Sequence, residues 1–265
     1  MSEAALSVLR RDRLVVAGAL GIITVLAWGY ILWLVHAMPV TSVDGVGLMA
    51  PTMSAWSPTE FTFAAIMWAV MMVGMMTPSV APTILLYVTV GRQAALLGSP
   101  LAPAGWFAAG YLLCWALFAL VAAAAQGALQ QAALLTPMLS SASQIFGGAV
   151  LVAVGALQWS PLKDACLGQC QTPLHFIQRH GGFRAEPLGS LQLGLLHGAY
   201  CVGCCWALMA LLFVGGVMNV LWIAGLAILV LLEKTIPGKV IPRIAGLALI
   251  GLGAWMLIGQ KLPVQ

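Results

Sequence analysis

The chain has 265 residues, 62% of them hydrophobic and only 7% charged, with a net charge of +4. A water-soluble domain carries roughly a quarter charged residues, so this composition cannot furnish a polar shell. With a mean hydropathy of +1.02, it excludes a soluble enzyme, a disulfide-stapled secreted domain and a nucleic-acid binder with its clustered basic patch, and points to an all-α, polytopic membrane helix bundle.

A helix needs about 20 mostly apolar residues to cross about 30 Å of hydrocarbon. Seven segments are read as transmembrane helices, near Leu14–Val35, Phe61–Val88, Ala104–Ala125, Ala142–Trp159, Leu191–Gly215, Val217–Leu232 and Ile244–Gly259. The fifth and the short sixth are parted only by a turn around Gly215, Gly216 and Asn219, so an antiparallel helical hairpin is expected there. Arg10, Arg11 and Arg13 precede the first span and place the N-terminus in the cytoplasm by the positive-inside rule. Alternation then puts Arg92, Lys163, Arg179, Arg184, Lys234, Lys239 and Arg243 in inner loops. The outer loops at about 36–60, 127–141 and 216–219 hold no Lys or Arg, and Lys261 at the outer C-terminus is the exception. The first span is longer than a signal h-region and lacks a small-residue cleavage site after it, so it is expected to remain a helix. The expectation is a single integral membrane domain over 1–265, with an inner loop at about 160–190 as its largest extramembrane piece.

The acidic residues Glu3, Asp12, Asp44, Glu60, Asp164, Glu186 and Glu233 all fall in loops or at span ends. No mid-membrane carboxylate is then available for proton coupling or for hard cations, which prefer oxygen ligands. Sulfur takes its place. In the second span, Met67, Met71 and Met75 are spaced by four, and Met72 and Met76 form a neighbouring row. Thioethers are soft, neutral ligands for Cu(I), although Met also fills irregular gaps in ordinary cores. Pro78 and Pro82 follow, each removing a backbone hydrogen bond, so a kink or break is expected near Gly74–Pro82. Cys114, alone in the third span, reads as a small apolar filler.

In the inner loop, Cys166 and Cys170 would share a face if helical, with Lys163 close enough to favour a thiolate. A structural disulfide is not expected in the reducing cytoplasm. His175 and His180 lie in the same loop. The fifth span carries His197, Cys201, Cys204 and Cys205 within about a 100° arc of one helix face. Three thiols and an imidazole on one stripe suit a soft ion such as Cu(I), with Zn(II) the second fit. At about 1.5 Å per residue, Met71 and Cys201 each lie about 15 Å from a span end, so a shared pocket near the midplane is sterically open to them. Glu233 and Lys234 end the sixth span and read as a helix-end or interfacial contact, Glu233 being also able to neutralise a cation. Trp33 and Trp56 read as interface anchors.

These segments resemble a family of bacterial proteins described as predicted metal-binding integral membrane proteins, a domain of unknown function. The resemblance rests on Met67-Trp68-x2-Met71-x3-Met75-Met76-x-Pro78, on Cys166-x3-Cys170 and on Cys201-x-Gly203-Cys204-Cys205-Trp206-x-Leu208-Met209, and it runs from the second span to the seventh. It implies metal binding, in some members linked to copper, in a bacterial cytoplasmic membrane, and it implies no mechanism.

The leading expectation is a protein that carries, stores or delivers Cu(I). Cys201, Cys204 and Cys205 would be thiolate ligands and His197 an alternative ligand. Met71, Met72, Met75 and Met76 would line the path, and Cys166 and Cys170 would exchange metal with the cytosol. The partners implied are the lipid bilayer and a cytosolic or membrane copper protein. Two further readings stand beside it. One is a membrane thiol oxidoreductase passing electrons from Cys201-x2-Cys204 to a quinone. The other is a non-catalytic subunit of a larger membrane complex, packing through small residues such as Gly147-Gly148-x6-Gly155. No residue is assigned a catalytic role, since nothing in the sequence resembles a phosphate-cradling loop, a zinc-protease helix or an ATP-driven pump domain.

Overall fold

A computed structural model describes residues 3–37, 56–136 and 139–259, with 3–9 and 259 described by their backbone alone. Most of the outer loop expected at about 36–60, including Asp44, and the C-terminal Lys261 lie outside the described residues. The described residues form helices throughout, with only an isolated bridge between Leu135 and Ser141. In chain order these are α1 (Glu3–Ala37), α2 (Pro58–Leu96), α3 (Ala104–Gln131), α4 (Gln144–Leu157), α5 (Pro161–Gln171), α6 (Pro173–Arg179), α7 (Pro187–Ala210), α8 (Leu212–Gly215), α9 (Val220–Thr235) and α10 (Val240–Gly259).

Each expected span coincides with a helix, α7 and α8 sharing the fifth. Length separates them. Five stretches are long and apolar enough to cross a membrane: Arg10–Ala37, Pro58–Leu96, Ala104–Gln131, Pro187–Gly215 and Val240–Ile258. A sixth is reached only if α4 and α5 count as one span broken by a 65° bend. The 16 residues of α9 rise about 24 Å, short of the hydrocarbon thickness of about 30 Å. Seven full-length crossings are therefore not what the helix lengths give.

Local sequence sets the boundaries. Ser57 and Glu60 close a capping box at the start of α2, with Ser57 N–H donating to Glu60 Oε2 at 2.6 Å and Glu60 N–H to Ser57 Oγ at 3.2 Å. At the elbow after α4, Pro161 cannot continue the preceding helix but suits a first turn, and Ser160 Oγ accepts the Lys163 N–H at 3.1 Å. The inner loop of about 160–190 is thus largely helical, as α5 and α6, with α5 lying against α7. The break expected near Gly74–Pro82 does not interrupt α2, which stays helical through both prolines. Hydroxyls bond the backbone beside them, Thr77 Oγ1 donating to Val73 O at 2.7 Å and Ser79 Oγ to Met76 O at 2.8 Å.

Packing centres on α2, which meets α1, α3 and α9, and on α7, held between α3 and α5. Helices α3 and α7 touch backbone to backbone: a Cβ at Gly194 would lie 2.0 Å from the Phe107 carbonyl oxygen, and one at Gly110 2.0 Å from that of Leu191. The Gly148 and Gly155 stripe is occupied inside the chain, against Gly253 and Gly246 of α10. It is therefore not a free face for a partner subunit. The turn before α9 falls where expected, with Gly216 at φ 96° and Asn219 Oδ1 accepting the Trp222 N–H. Its arms do not form a packed hairpin, however, because α9 lies chiefly on α2. The exterior is strongly apolar: Leu221 is 86% exposed, Trp255 78% and Val25 70%. Exposed apolar side chains in this number are compatible with a membrane environment.

Candidate metal centre

The stripe expected on the fifth span faces the interior of the bundle. His197, Cys201, Cys204 and Cys205 are all buried in α7. Cys201 is the hub. Its Sγ accepts from Lys234 Nζ at 2.7 Å and shares a hydrogen bond with the Tyr111 hydroxyl at 3.0 Å. Lys234 Nζ also donates to Ser79 Oγ at 3.2 Å and lies 3.9 Å from Met76 Sδ. Tyr111 reaches the Met76 carbonyl at 3.4 Å. Sulfur from α2 and α7 thus meets around one ammonium, with α3 and α9 supplying the polar neighbours. Met67, Met71, Met72 and Met75 are buried in the same core, nearer the N-terminal end of α2 than Met76.

The inner-loop cysteines pack against the same core. They do lie on a helix, α5, but they point to different places. Cys170, half-buried, packs against the core that holds Cys201 and Cys204. Cys166 packs against Gly203, where an added Cβ would meet its sulfur at 2.9 Å. Even Cys114 abuts α7, its Sγ 3.2 Å from a Cβ built at Gly198. Lys163 is not free to polarise these thiols, since its Nζ bonds Glu233 Oε2 at 2.7 Å and also Gln158 Oε1. Gln171, the last residue of α5, holds the loop after α9 by donating to the carbonyls of Glu233, Ile236 and Gly238. A cleft lined by Gln158, Ser160, Lys163, Gly203 and Trp206 leads to Cys204 from the α4–α5 elbow.

The donor set fits a soft cation by its chemistry, and the geometry qualifies that fit. Among the described residues no three His, Cys, Asp or Glu side chains form a ready-made ligand group. The reason is visible at Cys204 and Cys205, whose thiols turn back to the Cys201 carbonyl at 3.1 and 2.8 Å. These are weak sulfur donors that a side-chain rotation would free. His197 sits among Phe107, Tyr111 and Phe176, ring centroids 4.8–5.9 Å away, with its buried Nδ1 unpartnered. A buried imidazole nitrogen with no hydrogen bond is costly, and a ligand role would satisfy it. All six cysteines are free thiols. His175 is exposed, and His180 bonds the Phe176 carbonyl, so neither reaches the cluster.

Glu233 and Lys234 do end α9, as expected, but as buried side chains, Glu233 against Lys163 and Lys234 against Cys201. Tyr111, Ser79 and Lys234 were not among the expected site residues. Lys234 had a legible signal in the shortness of its helix, because 16 residues leave the charge of the last turn beside the neighbouring helices rather than beyond them. Tyr111 and Ser79 carry no pattern that would separate them from ordinary packing residues.

A family model described as a copper chaperone, PpoB2, matches residues 65–256. That is well over half of the sequence and includes every cysteine, and the chain belongs to this copper chaperone family. No curated protein and no solved structure was found to match the chain.

Proposed function

We propose that this copper chaperone acts within the bacterial cytoplasmic membrane as one integral domain, holding Cu(I) on thiols of α5 and α7. Topologically, α1, α2, α3, α7 and α10 cross fully, and α4 and α9 complete seven passes, with the N-terminus inside and α5 folded back into the bundle. The placement of charge supports this. Arg92 pairs with Asp12 at 2.9 Å and Lys239 with Asp164 at 2.5 Å, so the ion pairs join segments all assigned to the inner side. The apolar exterior suits a hydrocarbon solvent.

The observation that carries the functional reading is the meeting of the buried Cys201 of α7 and Met76 of α2 at one ammonium, with Cys166 of α5 packed against Gly203 of α7. Cu(I) is a soft ion that binds thiolates and thioethers in preference to oxygen. Cys201, Cys204 and Cys205 are the principal donors, with Cys170 and His197 as reserves. Cys166, half-buried at the inner mouth, exchanges metal with a cytosolic or membrane copper protein, and Met71, Met72, Met75 and Met76 line the way outward. Zn(II) is the weaker candidate because the thioethers have little to offer it. Elemental analysis of the detergent-purified chain is expected to find near-stoichiometric copper, lost in the Cys201→Ser/Cys204→Ser variant. Wild type carrying neither copper nor zinc above background would end this reading.

A further inference from the structure

We infer that the Lys234 ammonium is a resident stand-in for the metal cargo, occupying the sulfur cluster of the unloaded chain and leaving as Cu(I) enters. The inference rests on the copper reading above. Lys234 Nζ lies 2.7 Å from the Cys201 thiol of α7 and 3.9 Å from the Met76 thioether of α2. A thiol and a thioether brought from two helices to one cation is the environment a low-coordinate soft metal ion requires, and here an ammonium fills it. No carboxylate offsets its charge among the described residues. Glu233, its neighbour in sequence, is bound to Lys163 and Gln158. An ammonium is costly to bury without an anion beside it, so its position marks the Cys201 sulfur as the negative pole of the site.

Two consequences follow. With Cys201 as the negative pole, replacing one monovalent cation by another leaves the buried charge unchanged without further proton release, whereas a divalent ion leaves it unchanged only by displacing the proton of a second thiol. The ammonium also has a way out, because Lys234 is one residue from the end of α9, where the last carbonyls of the helix attract a cation and a long side chain can extend toward the inner surface. Ser79 Oγ, 3.2 Å away, is a further hydrogen-bond partner that the ammonium gives up on leaving. Return of the ammonium then assists release, so ligands that grip soft metals strongly can still surrender the cargo.

The test loads full-length protein in detergent with one equivalent of Cu(I) under anaerobic conditions and follows transfer to excess bathocuproine disulfonate. Lys234→Met and Lys234→Gln, the latter keeping a hydrogen-bond donor without the charge, are expected to take up copper and release it about tenfold more slowly than wild type. Lys234→Arg, which restores a cation, is expected to release it at nearly the wild-type rate. If wild type and variants hold copper but both neutral variants release it as fast as wild type or faster, the stand-in role is wrong and the copper site stands. If wild type takes up no copper, both ideas fall.

Discussion

Replacing Lys163 by Met probes the contact that fixes α5 in the bundle. Its ammonium lies 2.7 Å from Glu233 Oε2, with the two side chains only 6% and 2% exposed. Gln158 bridges the pair, donating to Glu233 Oε1 at 3.3 Å and accepting from Lys163. Removing one partner of a buried pair strands the other charge, at a cost of about 3–5 kcal/mol. Removing both charges, in Lys163→Met/Glu233→Met, leaves only the Gln158 amide short of partners, at about 1–3 kcal/mol. The double variant is therefore expected to be more stable than the single one. By contrast, the pair between Lys239 and Asp164 is 55% and 23% exposed, so Lys239→Ala is expected to cost about 0–1 kcal/mol. Unfolding of the detergent-solubilised chain gives the order, and alkylation of Cys170 reports whether α5 has left the cluster. A single variant costing no more than Lys239→Ala, or a double variant less stable than the single, would refute this account of the anchor.

Two other substitutions separate scaffold from site. Gly194→Ala sets a methyl 2.0 Å from the Phe107 carbonyl oxygen, where backbone must yield, so a loss near the upper end of the overpacking range, about 3 kcal/mol, is expected in thermal unfolding. Gly91→Ala, with nothing within 4 Å, should instead gain up to about 1 kcal/mol as a helix-interior alanine. Cys166→Ser is expected to slow copper loading while leaving the final copper content unchanged, read by loading time courses followed by metal analysis. A fall in content equal to that of the Cys201→Ser/Cys204→Ser variant would instead place Cys166 among the holding ligands.

Helical periodicity made much of the architecture legible. Apolar runs located every long helix, and the 100° advance per residue placed His197, Cys201, Cys204 and Cys205 on one buried face. What a linear pattern lacks is the fold of the charged segment between spans. Lys163, Asp164 and the histidines make 160–190 look like a solvated loop, because its hydrophobic residues are few and interrupted. Its helices are positioned by long-range contacts instead: Lys163 to Glu233, Gln171 to the loop after α9, and Cys166 to Gly203. These contacts turn Cys166 and Cys170 from surface thiols into half-buried residues packed on the core. Likewise, the positive-inside rule counted Lys234 as an inner-loop charge, whereas the short α9 keeps it inside the bundle.

The arrangement of weak bonds around the cluster bears on why a chaperone would be built this way. A site formed for permanent tenure gains by having its ligands fixed in place before the metal arrives, each held by hydrogen bonds from the residues behind it. Here the donors are occupied by one another and by the chain: Cys204 and Cys205 by the Cys201 carbonyl, Cys201 by Lys234 and Tyr111. In the copper reading, each metal–sulfur bond must displace one of these contacts, and each contact re-forms when the metal leaves. Net affinity is the difference between the two sets of bonds, which lowers the barrier to transfer without removing any soft ligand. On this logic the polar neighbours of Cys201 are as much a part of the function as the thiols, since they set how readily the cargo is given up.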